Sequence, residues 1–242
     1  MVARRVVALA LLLCLPVLVR AQTEPESPEQ PKPPPVNGFQ FSVFAGAALN
    51  VFSGGYFAPG ERNFLAEESS FNTPVGVSIN IPVFADAALY LRAGWHPTQT
   101  VFFSGRKDSL KSIPAFGEIG DELTLRYALF HVDVLLRLIG RQDGERVFVG
   151  PSFNFVRSKR VRVTETEYAS GVSYLIEEGE LVGGESLRTS LVLGAEYAFV
   201  PLPDLYIIPS LQVDYSPQKL STEHPIKAVF YKFLLTVAYQ PF

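Results

Sequence analysis

The sequence has little cysteine and no hydrophobic run long enough to cross a membrane as a helix. Its one cysteine among 242 residues is Cys14, which lies inside the first apolar segment. If that segment is removed, the remaining chain has no thiol, which excludes disulfides, thiolate metal sites and cysteine nucleophiles. Basic residues are not in excess either, since 21 lysines and arginines stand against 24 acidic residues and give a formal charge of -3. A nucleic-acid partner, which needs a concentrated basic surface, is therefore not expected.

The N-terminus has the parts of a secretory signal. Arg4 and Arg5 form a basic start, an apolar run extends from Val6 to Val19, and a small residue ends the segment 1–21. The alternative is a membrane anchor, but a spanning helix needs about 20 apolar residues, and Pro16 interrupts this shorter run. We therefore predict a cleaved signal peptide, whose removal leaves 18 basic and 24 acidic residues and a charge of -6.

Residues 22–37 form a proline-rich polar segment. From Glu24 the sequence reads EPESPEQPKPPPV, which lacks the apolar residues of a core and favours an extended conformation. We predict a disordered linker here. A partner with a proline-binding groove is the alternative to a plain spacer.

Apolar side chains alternate with polar or small ones from residue 38 onward. At the start, Phe39, Phe41 and Val43 alternate with Gln40 and Ser42. A period of two is typical of a strand with one apolar face. The pattern recurs and predicts eight strands, at about 39–51, 75–83, 89–95, 123–138, 147–155, 191–199, 205–215 and 229–239.

The connections between these strands alternate in length. Long polar segments follow the odd-numbered strands and short turns follow the even-numbered ones, which is the layout of an outer-membrane β-barrel. A secreted β-sandwich is the alternative, but it would not need so continuous an apolar face on every strand. We predict an all-β, porin-like fold, an eight-stranded antiparallel up-and-down transmembrane β-barrel over residues 38–242, located in the cell outer membrane. The long segments are Phe52–Asn72, His96–Glu122, Arg157–Leu187 and Ser216–Lys227, and the short turns are Ala85–Asp86, Ile139–Glu145 and Val200–Asp204.

Two local features refine this expectation. The apolar residues of the fourth strand change phase near Leu129, which predicts a β-bulge that keeps one apolar face outward on both sides of it. Aromatic residues also gather at strand ends, as in the aromatic belts of membrane proteins. These residues are Trp95, Tyr127, Tyr197, Phe199, Tyr215 and Tyr239.

The segment Gly38–Phe242 resembles the outer-membrane β-barrel domain of the PorT-like family. The local match runs from His131, in HVDVLLRLIG, through Val147, in VFVGPSFNF, where the family has an acidic-then-apolar strand followed by a glycine-bearing strand. The resemblance implies the barrel fold and an outer-membrane location, and members of the family include a protein needed by a secretion system. Phe242 looks like the terminal aromatic of the outer-membrane assembly signal, which implies the assembly machinery as a partner.

If the apolar face meets lipid, the opposite face of each strand lies in the lumen together with its charged residues. Charges removed from water must pair, and three basic against three acidic groups predict a salt-bridged plug. The plug is favoured because the interior of an eight-stranded barrel is just wide enough for side chains to fill. A narrow channel for small solutes or ions is the alternative. The predicted lumen charge cluster consists of Arg92, Asp133, Arg137, Glu196, Asp214 and Lys232.

Lys159, Arg160 and Arg162 form a basic run after the fifth strand. An extended chain places Arg160 and Arg162 on one side and Lys159 on the other, so the run can contact lipid headgroup phosphates without a folded pocket. A solvated strand end is the equally simple alternative. Contact of this basic run with headgroup phosphates makes outer-membrane lipid an expected partner.

No pattern of residues predicts catalysis or a bound cofactor. His96, His131 and His224 have no serine or carboxylate at a diagnostic spacing, and there is no glycine-rich phosphate loop or metal-ligand spacing. We predict no catalytic, cofactor or metal site, and a structural or interaction role through the outer loops or the periplasmic tail, with an envelope protein as a candidate partner. An enzyme that acts on lipid at the barrel rim is the third hypothesis.

Overall fold

The computed structural model describes residues 38–58, 62–65, 68–105, 119–140, 144–167, 170–202 and 204–241. The predicted signal peptide, the predicted linker and Phe242 lie outside these ranges. No helix among the described residues is long and apolar enough to span a membrane. The strands are β1 (Gln40–Ser53), β2 (Gly55–Ala58), β3 (Arg62–Leu65), β4 (Glu68–Asn72), β5 (Val75–Phe84), β6 (Ala87–Gly105), β7 (Ile119–Ile139), β8 (Glu145–Glu167), β9 (Val172–Glu180), β10 (Leu187–Tyr197), β11 (Phe199–Leu202), β12 (Leu205–Tyr215) and β13 (Lys227–Tyr239).

Eight of these strands pair in a ring, each antiparallel to both of its neighbours. Around the ring, β1 pairs with β5, β5 with β6, β6 with β7 and β7 with β8. The first half of β8 pairs with β10, β10 with β12, β12 with β13, and β13 returns to β1. A ring of this kind satisfies the backbone hydrogen bonds of every strand without leaving an open edge. The predicted all-β fold with eight antiparallel strands is confirmed.

Three of the four segments predicted as long loops are partly strand. The first contains the β2–β3 hairpin and β4, and β4 continues β5 in the same register against β1, because Ala48 pairs with Asn72 and Ala45 with Val75. In the second, β6 extends to Gly105 and β7 begins at Ile119. The third contains the end of β8 and the whole of β9, which pair with each other. The ring is therefore tall on the side formed by β6, β7 and β8.

One end of the ring carries the short connections from β5 to β6, from β7 to β8, and from β10 to β12 through β11, and we name it the turn end; the opposite end is the loop end. Near the turn end, apolar side chains face outward, and the inward face combines polar and small side chains with a few large ones such as Tyr90 and Phe148. On β8, Val147 and Val149 are 50% and 38% exposed, whereas Arg146 and Ser152 are buried. The exposed apolar side chains form a continuous outer belt. Its members include Phe41, Val43, Val77, Leu136, Leu138, Val147, Val149, Leu191, Leu193, Leu211, Val213, Phe233, Leu235 and Val237.

Near the loop end this arrangement is reversed. On β7, Leu123 and Leu125 are fully buried, while Glu122 and Arg126 are exposed. The buried apolar side chains at this end form one group, which we name the mouth cluster. The mouth cluster consists of Phe52, Tyr56, Val101, Leu123, Leu125, Tyr127, Leu129, Val161, Val163, Leu181, Leu220, Ile226, Ala228 and Phe230.

The strand β7 crosses from one arrangement to the other without changing its own alternation. Its odd-numbered residues are buried along the described strand, from Leu123 to Arg137. The apolar residues therefore occupy odd positions near the loop end and even positions near the turn end, which is the phase change visible in the sequence. The prediction that Leu123, Leu125 and Leu129 face outward was wrong, because these residues form an internal core above the outer belt.

The predicted bulge lies in the neighbouring strands and not in β7. Ala128 pairs with Ser158 and Leu129 with Val156, so Arg157 of β8 is the extra residue. The register between β6 and β7 shifts at the corresponding level, between His96 and Gln99 of β6. A bulge exchanges the two faces of its strand. The odd-numbered residues of β8 therefore face outward below Arg157 and inward above it.

The aromatic residues of the predicted belt divide into two groups. Trp95 and Tyr239 are 39% and 55% exposed on the outer surface, and Tyr197, Phe199 and Tyr215 are exposed as well. Tyr127 is instead buried in the mouth cluster. The prediction that Tyr127 belongs to the aromatic belt was wrong, because Tyr127, like Leu125, lies on the inward face of β7.

Candidate functional site

The interior of the ring contains all six residues of the predicted lumen charge cluster. Each lies on the inward face of its strand, and each is buried. Burial of an unpaired charge is costly, so the arrangement of their partners decides what the interior can do. The six side chains form two separate ionic groups.

The first ionic group links four strands across the interior. The Arg92 guanidinium donates from Nε to Oδ2 of Asp133 at 3.0 Å, and its Nη2 lies 2.7 Å from the same oxygen in an ion pair. Its Nη1 donates to Oε1 of Gln212 at 2.6 Å, and Gln212 in turn donates to Oδ1 of Asp214 at 2.9 Å. Lys232 completes the group, with Nζ 2.5 Å from Oδ2 of Asp214. Two cations and two carboxylates are thereby joined through one amide.

The second ionic group is closer to the turn end. Glu196 lies 2.9 Å from Nη2 of Arg137 and 3.5 Å from Nη1 of Arg146. Arg137 also donates from Nη1 to Oδ1 of Asn80 at 2.8 Å. One carboxylate therefore serves two guanidinium groups, and it is the only acidic partner that the described residues give to either of them.

Aromatic rings fill the space between the two ionic groups. The guanidinium carbon of Arg137 lies 3.5 Å from the ring centre of Tyr90, and that of Arg92 lies 5.1 Å from the ring centre of Phe148. Both distances are within the range of cation–π contacts. Gly194 faces Phe148 so closely that a Cβ atom at this position would overlap the ring. The interior is thus packed by large side chains at this level.

Two histidines, His96 and His131, connect the first ionic group with the polar side chain of Asn72. The rings of His96 and His131 lie 5.0 Å apart in an edge-to-face contact. Nε2 of His131 is 3.7 Å from Oδ2 of Asp133, and Nδ1 of His96 is 3.2 Å from the amide of Asn72. Both histidines are buried on the inward faces of their strands, so they belong to the packed interior.

The structure adds two buried cations that sequence reasoning missed. Arg146 lay between the predicted turn Ile139–Glu145 and the strand predicted from Val147, and Arg188 lay just beyond a predicted loop, so neither was considered as a lumen residue. Arg188 donates to the hydroxyl of Tyr127 at 3.1 Å and to the carbonyl of Gln218 at 3.1 Å. The available signal was parity, since Arg146 has the same parity on β8 as Ser152. The described interior therefore holds five buried cationic side chains against three buried carboxylates, so its charges extend beyond the six residues of the predicted cluster.

At the loop end, the first and last loops meet over the mouth cluster. The ring of Tyr56 stacks on His224 with 4.1 Å between centres, and its hydroxyl donates to Oε1 of Glu177 at 3.1 Å. Burial raises the pKa of Tyr56, and the adjacent Glu177 carboxylate raises it further. Burial lowers the pKa of His224, against the opposing effect of Glu223 and Glu177. Both rings are therefore neutral when they stack at neutral pH.

The predicted basic run divides as its alternation indicated. Arg160 and Arg162 are exposed on the outer face of β8. Lys159 turns toward the segment before β10, where its Nζ donates to the carbonyl of Gly184 and, at 3.3 Å, to the hydroxyl of Ser186. The structure therefore brings Arg160 and Arg162 onto one surface and places Lys159 apart from them.

Among the described residues, no group of three or more His, Cys, Asp or Glu side chains is arranged to hold a metal ion. The charged side chains of the two ionic groups lie inside the ring, where they bond to one another. These two ionic groups hold the strands in register and occupy the lumen.

No protein-family model matches the chain, and no curated protein matches its sequence. Among solved structures, it is similar to Ail, the attachment invasion locus protein of Yersinia pestis, at 14% identity over 84% of this chain and 100% of that one, with a TM-score of 0.31. Neisserial surface protein A is similar at 14% identity over 83% and 96%, with a TM-score of 0.32. The outer membrane protease OmpT from Escherichia coli is similar at 9% identity over 88% and 100%, with a TM-score of 0.39.

The strand pairing and the distribution of polarity define the class of this protein. A ring of eight antiparallel strands, with an apolar outer belt and buried charged groups inside it, is the architecture of an integral outer-membrane β-barrel.

Proposed function

We propose that the protein is an integral outer-membrane barrel with a closed lumen, and that it acts through its loop end as a structural or interaction component of the cell envelope. The observation that carries this proposal is the double closure of the interior. The two ionic groups and the rings of Tyr90 and Phe148 occupy the interior of the outer belt, and the mouth cluster covers the loop end. Closure on two levels favours a scaffold over a conduit.

The proposal includes the route by which the protein reaches the membrane. The N-terminal segment directs secretion and is removed, and Phe242 is recognised by the outer-membrane assembly machinery. The resemblance to the PorT-like family supports a role in envelope assembly or secretion, with another envelope protein as the partner. We propose no catalytic activity, because the charged side chains of the interior are held in ion pairs or hydrogen bonds by neighbouring groups.

Planar-bilayer recordings test the closed lumen. The mature barrel should add no conductance steps to a bilayer, although heat-modifiable migration shows that it is folded. The matched variant is Leu123→Ser combined with Leu125→Ser, which places two hydroxyls in the mouth cluster and should increase transient openings. Stable conductance steps from the unaltered protein would contradict the proposal, and recovery of the mature protein in soluble form would contradict membrane insertion.

A narrow anion path is the second candidate, and the excess of interior cations favours it. Arg146 shares its carboxylate with Arg137, and Arg188 has only neutral partners among the described residues. Cations that lack a full set of carboxylates attract anions. Reversal potentials in a salt gradient distinguish this candidate, since conductance that selects for anions and weakens in Arg188→Gln would support it.

A further inference from the structure

The outer face of the tall side carries a groove that neither the closed lumen nor the belt uses. It is formed by β6, β7, β8 and β9 above the outer belt and has a volume of about 390 Å³. Arg126 of β7 and Arg160 and Arg162 of β8 line it, and all three are exposed. Arg126, which was absent from the predicted basic run, joins the site because the register of β7 and β8 brings it there.

The register places like charges opposite each other. Arg126 and Arg160 are direct partners across β7 and β8, a pairing that destabilises a sheet when nothing compensates it. Glu180 and Glu178 of β9 stand opposite Arg160 and Arg162 on the other side, but Arg126 has Thr100 of β6 as its other neighbour. Within the described part of the chain, none of the three guanidinium groups forms an ion pair. Their donors remain available to a ligand from outside.

The chemistry of the other lining residues narrows the class of ligand. Thr124 and Thr164 present hydroxyls, Glu122 and Glu178 present carboxylates, and Phe102 is 57% exposed at the same groove. Guanidinium groups bind phosphate in paired hydrogen bonds. Hydroxyls, carboxylates and one aromatic face are the groups that bind a sugar, through its hydroxyls and its apolar face. The groove therefore fits a phosphorylated sugar better than a bare phosphate.

The height of the groove fits a ligand that is anchored in the membrane. Arg126 lies four residues beyond Phe130, the last outward apolar residue of β7, which is about 13 Å along a strand and about 10 Å above the belt in a strand tilted by roughly 40°. The headgroup layer extends about 5–8 Å beyond the hydrocarbon. An arginine side chain that points back toward the belt reaches this layer.

We propose that this groove binds the phosphorylated sugar headgroup of an outer-leaflet glycolipid, with Arg126, Arg160 and Arg162 as the phosphate ligands. The proposal rests on the membrane placement proposed above. It replaces Lys159 of the predicted headgroup contact with Arg126. The lipid would lie against the side of the barrel, beside β6 and β7, and would leave the lumen unaffected.

The single tryptophan of the chain gives a direct readout. Trp95 is exposed on the outer face of β6, and its strand partner on β7 is Phe130. The mature barrel, folded in zwitterionic detergent, is titrated with bisphosphorylated lipid A, with dephosphorylated lipid A, with phosphatidylglycerol and with sodium pyrophosphate, and Trp95 fluorescence is followed. We expect bisphosphorylated lipid A to bind about tenfold or more tightly than each of the other three probes.

Substitutions locate the site. The triple variant Arg126→Gln, Arg160→Gln and Arg162→Gln should lose this preference, and Arg126→Lys should weaken binding because lysine lacks the guanidinium fork. The control is Lys227→Gln, which removes one exposed positive charge from β13 and should change nothing. Unchanged lipid A binding by the triple variant, or equal binding of pyrophosphate, would overturn the proposal. Heat-modifiable migration of each variant separates this failure from a failure of membrane insertion, because a barrel that inserts normally without preferring lipid A contradicts only the groove.

Discussion

Glu196 provides the sharpest test of a dry, packed interior. It is the one described carboxylate that neutralises both Arg137 and Arg146, at 2.9 and 3.5 Å. Glu196→Gln keeps the size of the side chain and removes its charge, so two buried guanidinium groups lose their counterion at once. Breaking a buried ion pair in this way costs about 3–5 kcal/mol.

This cost translates into a large thermal shift. In a chain of this size, 1 kcal/mol corresponds to roughly 2–4 °C, so Glu196→Gln should lower the unfolding temperature by about 6–20 °C. The measurement is the temperature at which the detergent-folded barrel loses its compact, heat-modifiable migration. The control is Glu178→Gln, an exposed carboxylate on β9, which should stay within about 0.5 kcal/mol of the unaltered protein.

A second substitution identifies the cause of the loss. Arg146→Gln in the background of Glu196→Gln removes the extra cation and leaves Arg137 with Asn80 and the ring of Tyr90. It should therefore recover on the order of 1 kcal/mol. Equal, small shifts for Glu196→Gln and Glu178→Gln would refute the reasoning, because they would mean that water reaches the second ionic group and that the lumen is an aqueous path.

The remaining predictions concern the two ends of the ring. A nonspecific protease added to intact cells should cut within Arg157–Leu187 and leave Ile139–Glu145 protected, as mass spectrometry of the fragments would show; cutting at the short turn alone would invert the topology. Acidification should loosen the contact between the first and last loops, because the lowered pKa of His224 means that the unfolded loop takes up the proton more readily than the folded one. The stability from neutral His224 is complete above its ordinary pKa of 6.5 and is lost as the pH falls through the lower, folded value. Proteolysis of the last loop should accelerate over this range in the unaltered protein and not in His224→Gln, and equal acceleration in both would assign the effect to another group.

The sequence predicted the positions of the strands well. It predicted only in part which face of each strand lies toward the interior of the ring. Alternation alone located the eight strands, because a period of two is visible whichever face is apolar. It could not show that Leu123 and Leu125 face inward, because a leucine against lipid and a leucine in a protein core look the same in a sequence. The distinction needed the outward neighbours, Glu122 and Arg126, to be weighed as a second, polar face.

The interior was predictable as far as parity was applied. Inward parity identified Arg92 and Asp133, which pair across β6 and β7, but the rule was not extended to Arg146 at the start of β8. Arg126 was missed for a different reason. Its place beside Arg160 depends on the register between two strands that are separated by a turn, and register is a property of pairing that a single strand's pattern does not contain.

The inward-facing residues of β8 change from even to odd numbers at one level of the barrel. The packing of this strand therefore depends on its number of residues as well as on its composition. Arg157 is an extra residue in β8, and β6 has its own register shift at the same level. Loss of Arg157 would restore one-to-one pairing between β8 and β7 and would keep Val161 and Val163 inward, whereas loss of one residue from the regularly paired part of β8 would exchange the two faces of the residues on one side of it. Descendants of this sequence can therefore lose the extra residue at Arg157 more readily than a residue from the regularly paired part of β8, and variation in length should collect at this bulge and in the loops, where no face depends on the number of residues.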